Sequence, residues 1–144
     1  VRSGKGVAIL NFGALLSEAI AAADQLDATV IDMRWVKPLD EKMVLAIAQR
    51  HDTLVTLEEN AIAGGAGAAV NELLAARGVS PTILNLGIPD EFIEHGDQGD
   101  QQAAVGLDAA GICERIGTSL ELAQVKVASS GQYPSAIELT RTST

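Results

Sequence analysis

Cysteine occurs once in the 144 residues, at Cys113, so no disulfide can close within the chain. A lone thiol fits a reducing compartment better than a secreted, disulfide-stapled domain. Aromatic residues make up only 3%, so the core must be built from Ala, Val, Ile and Leu, which suits a sheet covered by helices. Cations are scarce as well. Ten Lys and Arg stand against nineteen Asp and Glu, a net charge of −9, and no cluster of them could neutralise phosphates, which argues against nucleic acid and against an anionic membrane. Neither a long apolar run nor a signal-peptide pattern is present, so a soluble, cytoplasmic chain with no membrane partner is the expectation.

What the sequence does contain is a repeating alternation. With 47% hydrophobic and 20% charged residues, the chain has an ordinary globular balance at the size of one domain. Four short apolar runs, "GVAILNF", "ATVIDMRWV", "TLVTLEE" and "TILNLGI", read as strands. After the first, Leu16, Ile20, Ala23 and Leu26 recur at helical intervals; after the second come Val44, Ile47 and Ala48 behind a candidate N-cap, Asp40. Val70, Leu73 and Leu74 mark a third helix ending at Arg77-Gly78, and Ile112, Ile116 and Leu120 a last one capped by Asp108. Between the fourth strand and that helix lies a polar, Gly-punctuated loop, "DEFIEHGDQGDQQ". Strands alternating with helices predict a three-layer α/β/α domain around a mainly parallel sheet. Helical period fades near Lys126, so residues 1–124 are assigned to the domain and 125–144 to an irregular tail, with an extended piece possible at "SAIEL".

The stretch that invites chemistry is "EENAIAGGAGAAV", where a strand runs through Gly64, Gly65 and Gly67 into a helix. Glycines before a helix N-terminus can cradle a phosphate on free N–H groups. The dinucleotide fingerprint fails here, because Val70 stands where Gly or Ala is needed, and no Gly-Lys-Ser/Thr follows. Close packing of helix on sheet is the competing use of the same glycines. Glu58 and Glu59 are strand neighbours whose side chains point to opposite faces, so they do not converge as an acid/base pair or as joint metal ligands. They are read instead, with Asn60, as contacts to a neighbouring domain. His51 reads as a helix-end cation, and His95, in the acidic loop, as solvated or as a contact to another domain. No His stands near Cys113 in the sequence, which reads as core filling. No catalytic set and no metal site emerge from these residues.

Five ordered stretches, "LNFG", "DMRWVKPLDE", "VTLEENAIAGGAGAAVNELL", "LNLGIPDEFIEHG" and "GLDAAGI", resemble the C-terminal domain of the 1-deoxy-D-xylulose-5-phosphate synthase family, transketolase-like enzymes that use thiamine diphosphate. The resemblance spans residues 5 to 121. It implies a sheet of about five strands, including an antiparallel edge strand of which only "VR" remains, and first and third strands lying side by side. It also implies a reaction for the whole enzyme: pyruvate and glyceraldehyde 3-phosphate condense with loss of carbon dioxide, feeding isoprenoid, thiamine and pyridoxal synthesis, with thiamine diphosphate and Mg2+ as cofactors. The family's Gly-Asp-Gly…Asn diphosphate motif and its cofactor-activating Glu have no counterpart here. The chain is therefore expected to be a fragment, inactive alone and binding neither cofactor. Its partners would be the N-terminal and central domains of the same enzyme and a second copy in a homodimer, in the cytoplasm or, in a plant, the plastid stroma. Glu58, Glu59, Asn60, Gly64, Gly65, Gly67 and His95 are the interface candidates. Two readings compete: a stand-alone module holding a small anion near Gly64–Gly67, and another transketolase-like enzyme, which "RWVKPLDE" with "IPDEFIEHG" speaks against.

Overall fold

The computed structural model describes residues 1–93 and 95–130. Its elements alternate in chain order: β1 (Val7–Phe12), α1 (Leu16–Leu26), β2 (Thr29–Asp32), α2 (Glu41–Ala48), β3 (Thr53–Ala61), α3 (Ala66–Ala76), β4 (Thr82–Ile88), α4 (Gln98–Ala104) and α5 (Ala109–Ser130). The four strands form one parallel sheet in the order β2-β1-β3-β4. Outside β2, Arg2 makes a single antiparallel bridge with Val30, N–H to O distances being 3.1 and 3.0 Å. That bridge is the expected edge strand, shortened to one residue.

The chain leaves β1 to one side for β2 and returns to its other side for β3 and β4, so right-handed crossovers put α1 on one face and both α2 and α3 on the other. α1 and α5 cover one face, where Val7, Ile9, Val30, Val55, Leu57 and Leu86 are buried against Ala19, Ala22, Ala23, Ile112 and Ile116. Small residues on α1 let α5 approach closely, and the Cys113 Sγ lies 3.6 Å from the Ala22 carbonyl. α2 and α3 cover the other face, where Ala8, Leu10 and Leu54 meet Val44, Ile47, Val70, Leu73 and Leu74. Alternate residues of one strand thus feed two separate cores, each fully buried Ile, Leu or Val adding about 1.5–3 kcal/mol.

Helix ends follow local chemistry. The Asp40 carboxylate accepts from the Met43 N–H at 3.0 Å, and Asp108 from the Gly111 N–H at 3.0 Å, as their sequence positions predict. α3 ends as Gly78 turns into the left-handed region at φ 65°. Three boundaries differ from expectation. β2 stops at Asp32 instead of running to Val36, because β1 ends at Phe12 and Arg34 takes a left-handed φ of 58°, held by an ion pair to Asp32 at 3.3 Å. The polar loop after β4 contains a short helix, α4. Finally, α5 continues to Ser130, past the point where the apolar period fades. The expected extended piece at "SAIEL" lies outside the described residues.

Candidate functional site

β1 and β3 run side by side, and the order reverses between them, so their C-terminal ends form the switch point where α/β sheets place ligands. Asn11, Phe12 and Gly13 flank one side of it and Glu58, Glu59 and Asn60 the other. The two glutamates diverge. Glu58 points to the α3 face and Glu59 to the α1 face, as their alternation requires.

Glu58 is only 1% exposed. Its carboxylate accepts from the Ala66 N–H at 2.8 Å and the Gly67 N–H at 3.0 Å, both in the first turn of α3. Free amides at a helix N-terminus attract an anion, and here the chain supplies its own. The glycines make this possible. A Cβ on Gly65 would lie 2.3 Å from the Glu58 carboxylate, and one on Gly67 would lie 2.6 Å from the Thr56 hydroxyl and 2.9 Å from the Asn85 side chain. Thr56, fully buried, in turn donates to the Oδ1 of the half-buried Asn85 at 2.9 Å, a polar pair beneath the helix. Close packing is thus the use the structure makes of Gly65 and Gly67, while Gly64 supplies a left-handed turn at φ 72°.

The placement corrects one expectation and opposes another. Glu58 lies inside and bonded to backbone, not facing a neighbour's cation. A phosphate at Gly64–Gly67 would have to displace a carboxylate from the amides it needs, so the small-anion reading is opposed by the same two hydrogen bonds. Other helix starts are similarly served: Glu18 accepts from the Ala109 N–H of α5 at 3.0 Å, and Glu59 from the Ala14 N–H ahead of α1 at 3.2 Å. The diphosphate of a thiamine cofactor does not fit residues arranged this way. Among the described residues, no group of three or more His, Cys, Asp and Glu is placed to hold a metal ion.

Glu59, Asn60 and Gly64 are exposed, as is His95 in the loop between β4 and α4. Two depressions flank the end of β3. One, of about 400 Å³, is bordered by Val36, Asn60, Ala63 and Gly64. The other, of about 380 Å³, lies between Leu15, Glu59, Ile88, Ile93 and α4. His51 sits at the C-terminal end of α2: its Nδ1 lies 3.1 Å from the Ile47 carbonyl and its Nε2 2.9 Å from the Thr29 hydroxyl, tying α2 to β2. Burial pushes the Cys113 thiol above its usual range, in keeping with core filling. Asn11, fully buried at the end of β1, donates to the Gly13 carbonyl at 3.0 Å and leaves its Oδ1 unpaired. Sequence reading missed Asn11, the Thr56–Asn85 pair and Glu18, whose common signal is a polar residue inside an apolar period.

A doubly covered parallel sheet of this order, with an antiparallel bridge at the β2 edge and a glycine corner leading into α3, defines a class. Residues 1–112 match the family model for the transketolase C-terminal domain, and the chain belongs to that family. Within it, the chain is 60% identical over 111 residues to a 1-deoxy-D-xylulose-5-phosphate synthase of Bordetella parapertussis, covering 77% of this chain and 18% of the relative. Synthases of Pectobacterium atrosepticum and an Enterobacter species are 57% and 55% identical, over 80% and 83% of this chain and 18% and 19% of theirs. The chain thus spans less than a fifth of the length of these relatives. A solved split-gene transketolase, described as an inactive beta4 tetramer, superposes with a TM-score of 0.74 at 29% identity, over 84% of this chain and 40% of that one.

Proposed function

We propose that this chain is the C-terminal domain of a thiamine-diphosphate-dependent 1-deoxy-D-xylulose-5-phosphate synthase, and that it serves the enzyme through stability and contacts with its other domains rather than through chemistry of its own. The observation that carries the reading is identity of 55–60% to synthases along nearly all of the regular chain. The capped helix N-termini support the division of labour, because the amides that could hold phosphate are already committed to Glu58 and Glu18. Thiamine diphosphate, which stabilises the carbanion formed from pyruvate when bound, and Mg2+ would be held by the preceding domains. The enzyme would be a cytoplasmic homodimer; among the described residues no helix is long and apolar enough to cross a membrane.

The test is an assay of the full-length enzyme beside the purified chain, each with pyruvate, glyceraldehyde 3-phosphate, thiamine diphosphate and Mg2+. The full-length enzyme should release carbon dioxide and form the deoxyxylulose phosphate, and the chain alone should not. Turnover by the chain alone, or a full-length enzyme that makes no such product, would overturn the proposal.

A further inference from the structure

We propose that the C-terminal end of the sheet is the face on which the preceding domains of the same polypeptide dock, with Trp35 and Phe92 as its two aromatic anchors. The proposal rests on the functional reading above and adds the surface and what covers it. Of the large exposed hydrophobics among the described residues, Trp35 (69% exposed) and Val36 follow β2, Phe92 (fully exposed) follows β4, and Met43 sits in the first turn of α2, while Val1 lies beside the β2 edge and Leu122 on α5. The first four lie at one end of the sheet. The opposite end is closed by polar contacts: Thr29 with His51, the Gly4 N–H to Thr29 at 2.9 Å, and Arg2 to Asp24 at 2.8 Å.

Trp35 and Phe92 extend from the two outer strands, which lie three strand spacings apart, about 14 Å. That span matches one face of a domain, not two unrelated spots. Between them lie the two depressions that flank Glu58–Asn60, one reaching Val36 and the other Ile93. The second is roofed by α4, a seven-residue helix in which no residue is buried. A helix that short is marginal in water by itself and depends on what it packs against.

Length fixes the occupant. Charge along this end is mixed: exposed Glu91 stands with Phe92 at a depression that Arg115 also borders, and exposed Arg34 and Lys37 lie within two residues of Trp35. The relatives carry more than four-fifths of their length beyond the matched region, and the matched family is a C-terminal domain, so the covering surface is upstream chain.

Hydroxyl-radical footprinting of the full-length enzyme tests this directly. Corrected for intrinsic reactivity, Trp35 and Phe92 should be labelled about tenfold more slowly than Leu122, an exposed residue of α5 far from this end. In the same enzyme Phe92→Asp should raise labelling of Trp35 several-fold, and Leu122→Asp should not. Labelling of both aromatics at the rate of Leu122 overturns the proposal. So does protection that vanishes when the enzyme is diluted to monomers, which would assign the face to a second copy. Should Phe92→Asp fail to fold, the wild-type labelling alone decides. Synthase activity measured on the same sample separates the two claims: an active enzyme with unprotected aromatics removes the docking face alone, and a protected rim on an enzyme without synthase activity removes the functional reading alone.

Discussion

At the scale of residues, two adjacent carboxylates divide the labour. Glu58 is buried and bonds two backbone N–H groups; Glu59 is exposed and bonds one. Truncating Glu58 to Ala strands two buried donors and leaves a hole, which should cost about 3 kcal/mol, whereas Glu58→Gln keeps one acceptor and should cost about half as much. Glu59→Ala should change stability by no more than about 0.5 kcal/mol. Urea unfolding of the three variants at unchanged m-value measures this, and equal losses at both positions would sink the capping role. The opposite faces of these two residues were legible from strand alternation alone. Their partners were not, since a cap by Glu58 depends on how α3 doubles back over β3, which no local pattern encodes. For that reason a structural anion looked like a ligand for a neighbour's cation. The half-buried Cys113 offers a pH test at the same scale. Its folded-state pKa is raised by desolvation, so it favours the fold below the unfolded thiol's value, and that contribution disappears as pH rises through the folded one. Stability should therefore fall above about pH 9, near the free thiol's pKa, and Cys113→Ala should remove that part of the fall in a pH series of urea midpoints.

At the scale of elements, the glycines of the β3–α3 corner are not equivalent. Gly67→Ala drives a Cβ into the Thr56–Asn85 pair, both members of which are held in the sheet, so the helix must lift, at about 1–3 kcal/mol. Gly64→Ala meets no atom within 4 Å and costs only its left-handed backbone, about 1 kcal/mol. Thermal unfolding should rank Gly67→Ala below Gly64→Ala by several degrees; the reverse order would show that the turn, not the close approach, is the reason for glycine here. Helices α1, α2 and α3 could be read from apolar spacing and caps, and so could the buried face of α5, because each covers a core and its period records that. α4 escaped because it buries nothing, and a helix without a buried face leaves no period in its sequence. β2 was read too long for the converse reason: "MRWV" is apolar enough for a strand, but the neighbour that would pair with it ends at Phe12. Those surplus apolar residues, Trp35 and Val36, are the ones left exposed.

At the scale of the whole molecule, alternating strands and helices predicted the layered parallel sheet, but they could not set the strand order. The neighbouring β1 and β3 came from family resemblance, and with them the switch point. A switch point is a common ligand site, and the structure shows why this one is not built for an anion: the α3 amides next to it already hold the Glu58 carboxylate, and the turn into α1 holds Glu59. That has a measurable consequence for the isolated chain. A ligand bound only to the folded state stabilises it by RT ln(1 + [L]/Kd), so 10 mM inorganic phosphate held with a Kd of about 1 mM would add roughly 1.4 kcal/mol. For a domain of this size that is a Tm rise of about 3–5 °C. Phosphate, and thiamine diphosphate with Mg2+, should instead leave the Tm of the chain within about 1 °C of a control at equal ionic strength. A rise of several degrees that Gly65→Val abolishes would mean that Glu58 yields its amides to a ligand, and the corner would then be an anion site after all.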